Sequence, residues 1–350
     1  MSDKKFKFDV VIGNPPYQEE VEGTSDKQIF PYFMDEAYKI GEKVELITPA
    51  KFLSNAGKTP KKWNEKMLKD PHLKVLYFEQ DSSKVFSNTD IKGGVCVTYR
   101  DAFEEFGAIG TFTPFEELNS ILKKVKGKGF ESFSELIYAP ESYKLTQKLH
   151  DDFPKVQERL SKGHKYDVTT NIFDKLDEIF SNDKPSNPQE YIGIYGRQNN
   201  TRLLKWIKKE YIKGPDNLEN YKILVPKSNG SGAIGEVLTT PLIGEPLIGE
   251  PLIGGTQTFI TIGNFSNLEE ANSAMKYIKT KFARAMLGTL KVTQDNKKRT
   301  WSNVPMQDFT SNSDIDWTQS IYDIDLQLYK KYGLDKKEIN FIETKVKEMD

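Results

Sequence analysis

Apolar positions follow two rhythms over residues 6–101. "FKFDVVIG" at 6–13, the start of "KVELITPAKFL" at 43–53 and "LKVLYFEQ" at 73–80 are short apolar runs that read as strands. Two segments of helical spacing lie between them. "SDKQIFPYFMDEAYKI" at 25–40 sets Ile29, Phe33, Ala37 and Ile40 on one side, with Ser25 as a cap and Pro31 confining the start to that end. "PKKWNEKMLKD" is a shorter helix. "VFSNTDIKGGVCVTYRD" reads as a hairpin, with Gly93-Gly94 ahead of a β-rich run. The β-α-β-α-β order predicts an α/β unit with a mainly parallel sheet and helices on its faces.

Beyond about residue 125 the pattern breaks into short segments rich in Gly and Asn. "FSNDKPSNPQE" is a loop. "PLIGEPLIGEPLIGG" repeats a pentapeptide nearly three times, a period too short for a solenoid unit, and predicts an extended, turning loop or hairpin. The tail from Asp314 regains helical periodicity, and Gly333 marks a stop between two short helices. Boundaries at 1–125, 126–312 and 313–350 follow.

Composition narrows the class. The chain has 350 residues, long enough for a sizeable core, and no apolar run of membrane-spanning length. "MSDKKFKF" lacks the apolar core of a signal peptide. A single cysteine, Cys96, precludes an intrachain disulfide and fits a reducing cytoplasm; within "GGVCVTYR" it reads as a small buried strand residue. His72, His150 and His164 are scattered and no GK[ST] follows a Gly-rich loop, which argues against metalloenzyme and P-loop chemistry. No strand pairs two carboxylates with a lysine as a nuclease would.

The net charge is −1, so a nucleic-acid reader of this composition must concentrate its cations locally. Lys276, Lys279, Lys281, Arg284, Lys291, Lys297, Lys298 and Arg299 form one run, opposed by Asp295; Arg202, Lys205, Lys208, Lys209 and Lys213 form another. "GRQNNTR" adds Arg197, Gln198, Asn199 and Asn200, side-chain types that read guanine and adenine edges. With Arg202, Lys227, Lys291, Lys297, Lys298 and Arg299, these make a candidate surface for double-stranded DNA.

The first strand ends in Asn14-Pro15-Pro16-Tyr17. A strand of an open α/β sheet delivers polar atoms to the carboxyl edge, where ligands bind. The prolines lack N–H donors, which leaves the Pro15 carbonyl to face a ligand beside the Asn14 side-chain oxygen. Two convergent acceptors suit an exocyclic amino group, and Tyr17 offers a flat face for a base.

"VVIGNPPY" resembles the catalytic motif of methyltransferases acting on adenine N6 in DNA, and "VELITPAKFL" and "SSKVFSNTDIKGGVCVTYR" resemble the segments that follow it in the TaqI-like and type IIG restriction-modification methylases. The resemblance implies a partial Rossmann-like methyltransferase sheet, its second half, then an α+β target-recognition domain and a helical tail. It implies S-adenosylmethionine as cofactor, a flipped adenine between Tyr17 and Phe86, and both N6 hydrogens accepted by Asn14 and Pro15. Transfer would be direct, without a covalent enzyme intermediate.

In that family a cofactor-binding half precedes the motif, whereas thirteen residues precede Asn14 here. The expectation is a split enzyme, with a separate chain supplying that half, or a remnant; a DNA-specificity subunit without turnover is the alternative. A circular permutation would need a late Gly-rich motif. "GSGAIG" at 230–235 has the glycines, but "EVLTTPLIGEPL" supplies no helix after it, so Gly230, Gly232 and Gly235 read as a loop.

Overall fold

The computed structural model describes residues 7–19, 27–54, 59–87, 91, 93–127, 129–229, 234, 242–291 and 294–349. The chain divides into two compact units, 1–119 and 120–350.

In the first unit, β1 (Phe8–Gly13) leads to a small hairpin, β2 (Gln18–Glu19) and β3 (Lys27–Gln28), then α1 (Phe30–Ile40), β4 (Gly41–Pro49), α2 (Lys61–Lys69), β5 (Leu73–Glu79) and β6 (Val95–Asp101). α1 starts later than the periodicity predicts. Pro31 has no N–H to donate and is tolerated in the first turn, so the helix begins at Phe30; the expected cap Ser25 lies outside the described residues.

The strands order as β1-β4-β6-β5. β1 and β4 are parallel, while β6 runs antiparallel to both β4 and β5. The sheet is therefore mixed rather than mainly parallel: β1, β4 and β5 share a direction and β6 is inserted in reverse. Among the described residues of the predicted hairpin within 85–101 there is one strand, β6, which pairs with β4 and β5. One face packs Val44 and Leu46 against Phe30, Met34 and Ala37 of α1, with Phe52 and Trp63 meeting at 5.4 Å. Cys96 is fully buried in β6, as its sequence context predicts, and burial pushes its thiol up to about 12.

Among the described residues β1 has one strand neighbour, β4, and an exposed apolar face. Phe8, Val10 and Ile12, which alternate along one side of the strand, are 46%, 58% and 73% exposed. Parallel strands are ordinarily covered on both faces, so this is an unusual display of apolar surface.

The second unit comprises α3 (Glu116–Val125, which crosses the division), β7 (Ile137–Tyr138), β8 (Lys144–Leu145), α4 (Gln147–Asp152), α5 (Val156–Arg159), α6 (Ile172–Lys175), β9 (Tyr191–Gln198), β10 (Thr201–Lys208), β11 (Ile212–Lys213), β12 (Tyr221–Pro226), β13 (Leu247–Gly249), β14 (Ile253–Gly255), β15 (Phe259–Phe265), α7 (Leu268–Lys279), α8 (Lys281–Gly288), α9 (Ile321–Lys331) and α10 (Lys336–Lys345). Its larger sheets are β13-β12-β15-β7 and β10-β9-β14.

The pentapeptide repeat does not pair with itself. Its second copy forms β13 against β12 and its third forms β14 against β9. The two turn apart at Leu252, at φ 64°. The Lys222 ammonium, buried below the turn, donates to the carbonyls of Leu218, Glu250 and Ile253 at 3.0, 3.1 and 2.9 Å. The last copy ends in Gly255 rather than Glu because the position is buried and a Cβ there would sit 3.0 Å from Leu224 Cδ2.

The helical tail packs into this unit. Asp325 of α9 accepts hydrogen bonds from the Lys281 and Phe282 N–H groups at 2.9 and 2.8 Å, capping α8, and Lys281 pairs with Glu343 of α10 at 2.5 Å. Burial raises the Asp325 carboxyl from 3.8 to about 7, although those N–H groups and Arg284 pull the other way. Between these values the folded chain holds the proton more firmly than the unfolded one. Stability from this group is therefore greatest below about pH 4 and declines as pH rises through 7, by up to about 4 kcal/mol. Urea midpoints across that window should fall for the parent relative to Asp325→Asn; parallel curves would refute the assignment.

Candidate functional site

The parallel β1/β4 pair places Gly13, at the carboxyl end of β1, beside Leu46 of β4. Asn14, Pro15, Pro16 and Tyr17 follow immediately as an irregular stretch with no regular hydrogen bonding. Asn14 and Pro16 are exposed and Pro15 is half-buried. Among the described residues neither the Asn14 side chain nor the Pro15 carbonyl has a hydrogen-bond partner, so both acceptors remain open. The far end of the stretch is fixed: the Tyr17 carbonyl accepts from Ile29 N–H at 3.0 Å and Phe30 N–H at 3.4 Å, at the start of α1.

The family resemblance implies Tyr17 and Phe86 on opposite faces of one base, and in the structure the two rings are neighbours. Their centroids are 6.4 Å apart, but the planes meet at 64°, edge to face. A base between parallel rings needs van der Waals spacing on both sides, about 7 Å in all. The pair as it stands is a closed edge-to-face contact, and admitting a base requires one ring both to turn and to move outward. Tyr17 also packs against the core, with its hydroxyl buried and unpartnered, and burial pushes that hydroxyl up to about 12. It would serve a base through its ring rather than through a proton.

Phe86 is held by a turn that sequence reasoning missed. Its N–H donates to the Ser82 carbonyl at 2.8 Å, and Ser82 Oγ accepts from Ile91 N–H at 2.8 Å. Gly94 then passes against the backbone of Glu79 and Gln80 with φ 79°, and its carbonyl accepts from Ala50 N–H at 3.0 Å. A Cβ at 94 would overlap the Glu79 carbonyl. The Gly-Gly pair was the available signal, but it speaks of a turn and not of a strand packed beneath it.

In the second unit, β9 and β10 form a tight hairpin with Asn199 and Asn200 at its tip, both at positive φ (48° and 63°). Arg197, Asn199, Asn200 and Arg202 are exposed. Gln198 is half-buried and tied to Asp174 at 2.9 Å. Arg202 donates to the Glu245 carbonyl at 2.9 Å and lies 5.8 Å from the centre of the Phe259 ring.

The long basic run is largely internal. Lys291 is fully buried with Nζ 3.4 Å from the Asn229 carbonyl, so it does not present a charge to DNA. Burial lowers its ammonium below the ordinary range. Lys276 donates to the carbonyls of Trp317, Thr318 and Gln319, and Arg284 is buried beside the Lys347 carbonyl. Lys279 pairs with Glu245 at 2.7 Å. These cations bind parts of their own unit.

Lys297, Lys298 and Arg299 are exposed, the first two in ion pairs with Asp295 and Glu135 at 3.2 and 3.5 Å. They begin where Asn296 N–H meets the carbonyl of half-buried Lys227 at 2.7 Å, just past the end of β12. Pro226, next to Lys227, pairs with the same Phe259 that lies beneath Arg202. Gly230, Gly232 and Gly235 lie outside the described residues.

Comparison with known proteins bears out the resemblance drawn from the Asn-Pro-Pro-Tyr stretch. Residues 2–86 match the model of the Eco57I restriction-modification methylase family. A Mycoplasma pneumoniae protein described as an uncharacterized adenine-specific methylase is 36% identical over 95 residues, which are 26% of this chain and 22% of that relative. Two solved structures align over 96% of the chain. The type IIG restriction endonuclease BpuSI does so at 10% identity, a TM-score of 0.33 and 52% coverage of its own chain. The type IIL enzyme MmeI, solved in complex with DNA, does so at 9%, 0.31 and 56%. The chain thus spans about a fifth of the curated relative and about half of each enzyme, and TM-scores this low carry no argument.

Proposed function

We propose that this chain, whose residues 2–86 match a restriction-modification methylase family, is the part of an adenine-specific DNA methyltransferase that holds the target base and the recognition surface. The carrying observation is the pair of open acceptors, Asn14 and the Pro15 carbonyl, at the carboxyl edge beside Tyr17 and Phe86. Adenine N6 is paired and stacked in a duplex, so the base must leave the helix to reach them. The Asn14 oxygen and the Pro15 carbonyl accept the two amino hydrogens and orient the nitrogen lone pair, while Tyr17 and Phe86 hold the ring by its faces. This is catalysis by position and electrostatics. S-adenosylmethionine, when bound, supplies an electrophilic methyl sulfonium. The described residues fit the amino acceptor side of that reaction and offer no Gly-rich cradle for the cofactor.

A second observation refines the reading. The apolar, single-neighbour strand β1 favours a cofactor-binding half contributed by further polypeptide that covers Phe8, Val10 and Ile12. Calorimetric titration of the purified chain with S-adenosylmethionine, with and without duplex DNA, separates the two cases. Binding would make the chain sufficient, while no binding with DNA affinity retained assigns the cofactor to another polypeptide. Loss of both interactions would overturn the proposal.

The recognition surface is the β9–β10 tip with Arg197, Gln198, Asn199, Asn200 and Arg202, together with Lys227 and Lys297–Arg299. Neutralising Lys297, Lys298 and Arg299 together should weaken duplex binding and reduce the slope of log affinity against log salt by about 2–3. Lys291→Gln should leave the slope unchanged and lower thermal stability instead. A Lys291 variant that flattened the slope, or a triple variant that did not, would contradict this placement.

A further inference from the structure

We propose that Lys51 binds a phosphate of the DNA strand carrying the target adenine, an anchor additional to the recognition surface and resting on the methyltransferase reading. Lys51 lies in the short helical turn Ala50–Ser54 directly after β4, at the carboxyl end of the sheet that also presents Asn14. Its half-buried side chain crosses Gly93, which sits at φ 91°. A Cβ at 93 would lie 2.5 Å from Lys51 Cγ, 3.0 Å from Cε and 3.3 Å from Cδ. Glycine at 93 therefore leaves a track that guides the whole aliphatic stem. The track belongs to the turn that carries Phe86, since Gly94 N–H donates to the Ile91 carbonyl and Ile91 N–H to Ser82 Oγ.

Among the described residues the Lys51 ammonium has no ion pair or hydrogen bond, whereas neighbouring Lys84 is matched to Glu79 at 3.5 Å. A stem guided over a glycine, with a charge unmatched among the described residues at its tip, is suited to an anion from outside the chain. A base extruded toward Asn14 and Phe86 brings its own phosphodiester to this edge, and an ammonium binds phosphate as a point charge. The competing anion is the carboxylate of S-adenosylmethionine.

The test measures affinity of the purified full chain for labelled duplex DNA across a salt series, beside calorimetry with S-adenosylmethionine. Lys51→Gln and Lys51→Met both remove the charge and keep a stem over Gly93, so one folded variant, verified by its melting transition, suffices. The expected result is a salt slope lower by about 0.9, the loss of one phosphate contact, with Lys51→Arg retaining the parent slope. An unchanged slope in a folded neutral variant, with the parent binding DNA normally, overturns the Lys51 assignment and leaves the methyltransferase reading standing. A loss confined to S-adenosylmethionine binding overturns it in favour of the carboxylate. A parent chain that binds no DNA overturns the reading and the assignment together.

Discussion

Asn14→Ala should lower N6 methylation by about a hundred- to a thousand-fold in the assembled system while leaving duplex affinity at the parent level. The side chain is exposed at the end of β1 and supports no described hydrogen bond, so its removal should cost little stability. What is lost is one of two acceptors that fix the amino group, and with it the direction of the lone pair. Asn14→Asp retains an acceptor and should fall between the two. Methyl incorporation into DNA, measured beside duplex affinity and melting temperature, separates these effects. Equal losses of affinity and turnover would show that Asn14 holds DNA rather than orienting the amino group.

Gly94→Ala should have the largest effect on stability in the first unit, about 3 kcal/mol or more. The position has φ 79°, and the added methyl would strike the backbone carbonyl of Glu79 on the neighbouring strand. Backbone cannot swing aside as a side chain can, so β5 and β6 would have to separate or the turn carrying Phe86 would have to move. Gly93→Ala provides the contrast. It also sits at positive φ, but the nearest atoms to its methyl belong to the Lys51 side chain rather than to backbone. Chemical denaturation followed through the tryptophans should show the Gly94 variant far below the Gly93 variant. Equal destabilisation would mean that backbone conformation alone governs both positions.

The parts of this site legible in the sequence are those set by local residues. Asn14 to Tyr17 follow an apolar run directly, and two prolines announce a stretch without donors. Phe86 is proposed opposite Tyr17 by its position in the family pattern, and the two rings lie 6.4 Å apart, edge to face. Strand direction was not legible, because "VCVTYRD" carries the same burial pattern whether it runs with β4 or against it. The basic run misled for a related reason. Lys276, Arg284 and Lys291 each donate to a carbonyl 41 to 63 residues distant in the chain, which no local charge pattern reveals. Lys222 gave no signal at all, since its three carbonyl partners exist only once the repeat has folded over it. Residues whose surroundings are set by one strand are readable from sequence, and those whose partners are distant backbone are not.

The central claim is most directly tested in the organism that carries this chain. Its genomic DNA should be mapped for modified bases with the parent sequence and with Asn14→Ala at the native locus, where any further polypeptide is present. The account predicts N6-methyladenine at a defined sequence in the parent and its disappearance in the variant. Unchanged adenine methylation at every site, or a loss confined to methylated cytosine, would contradict it.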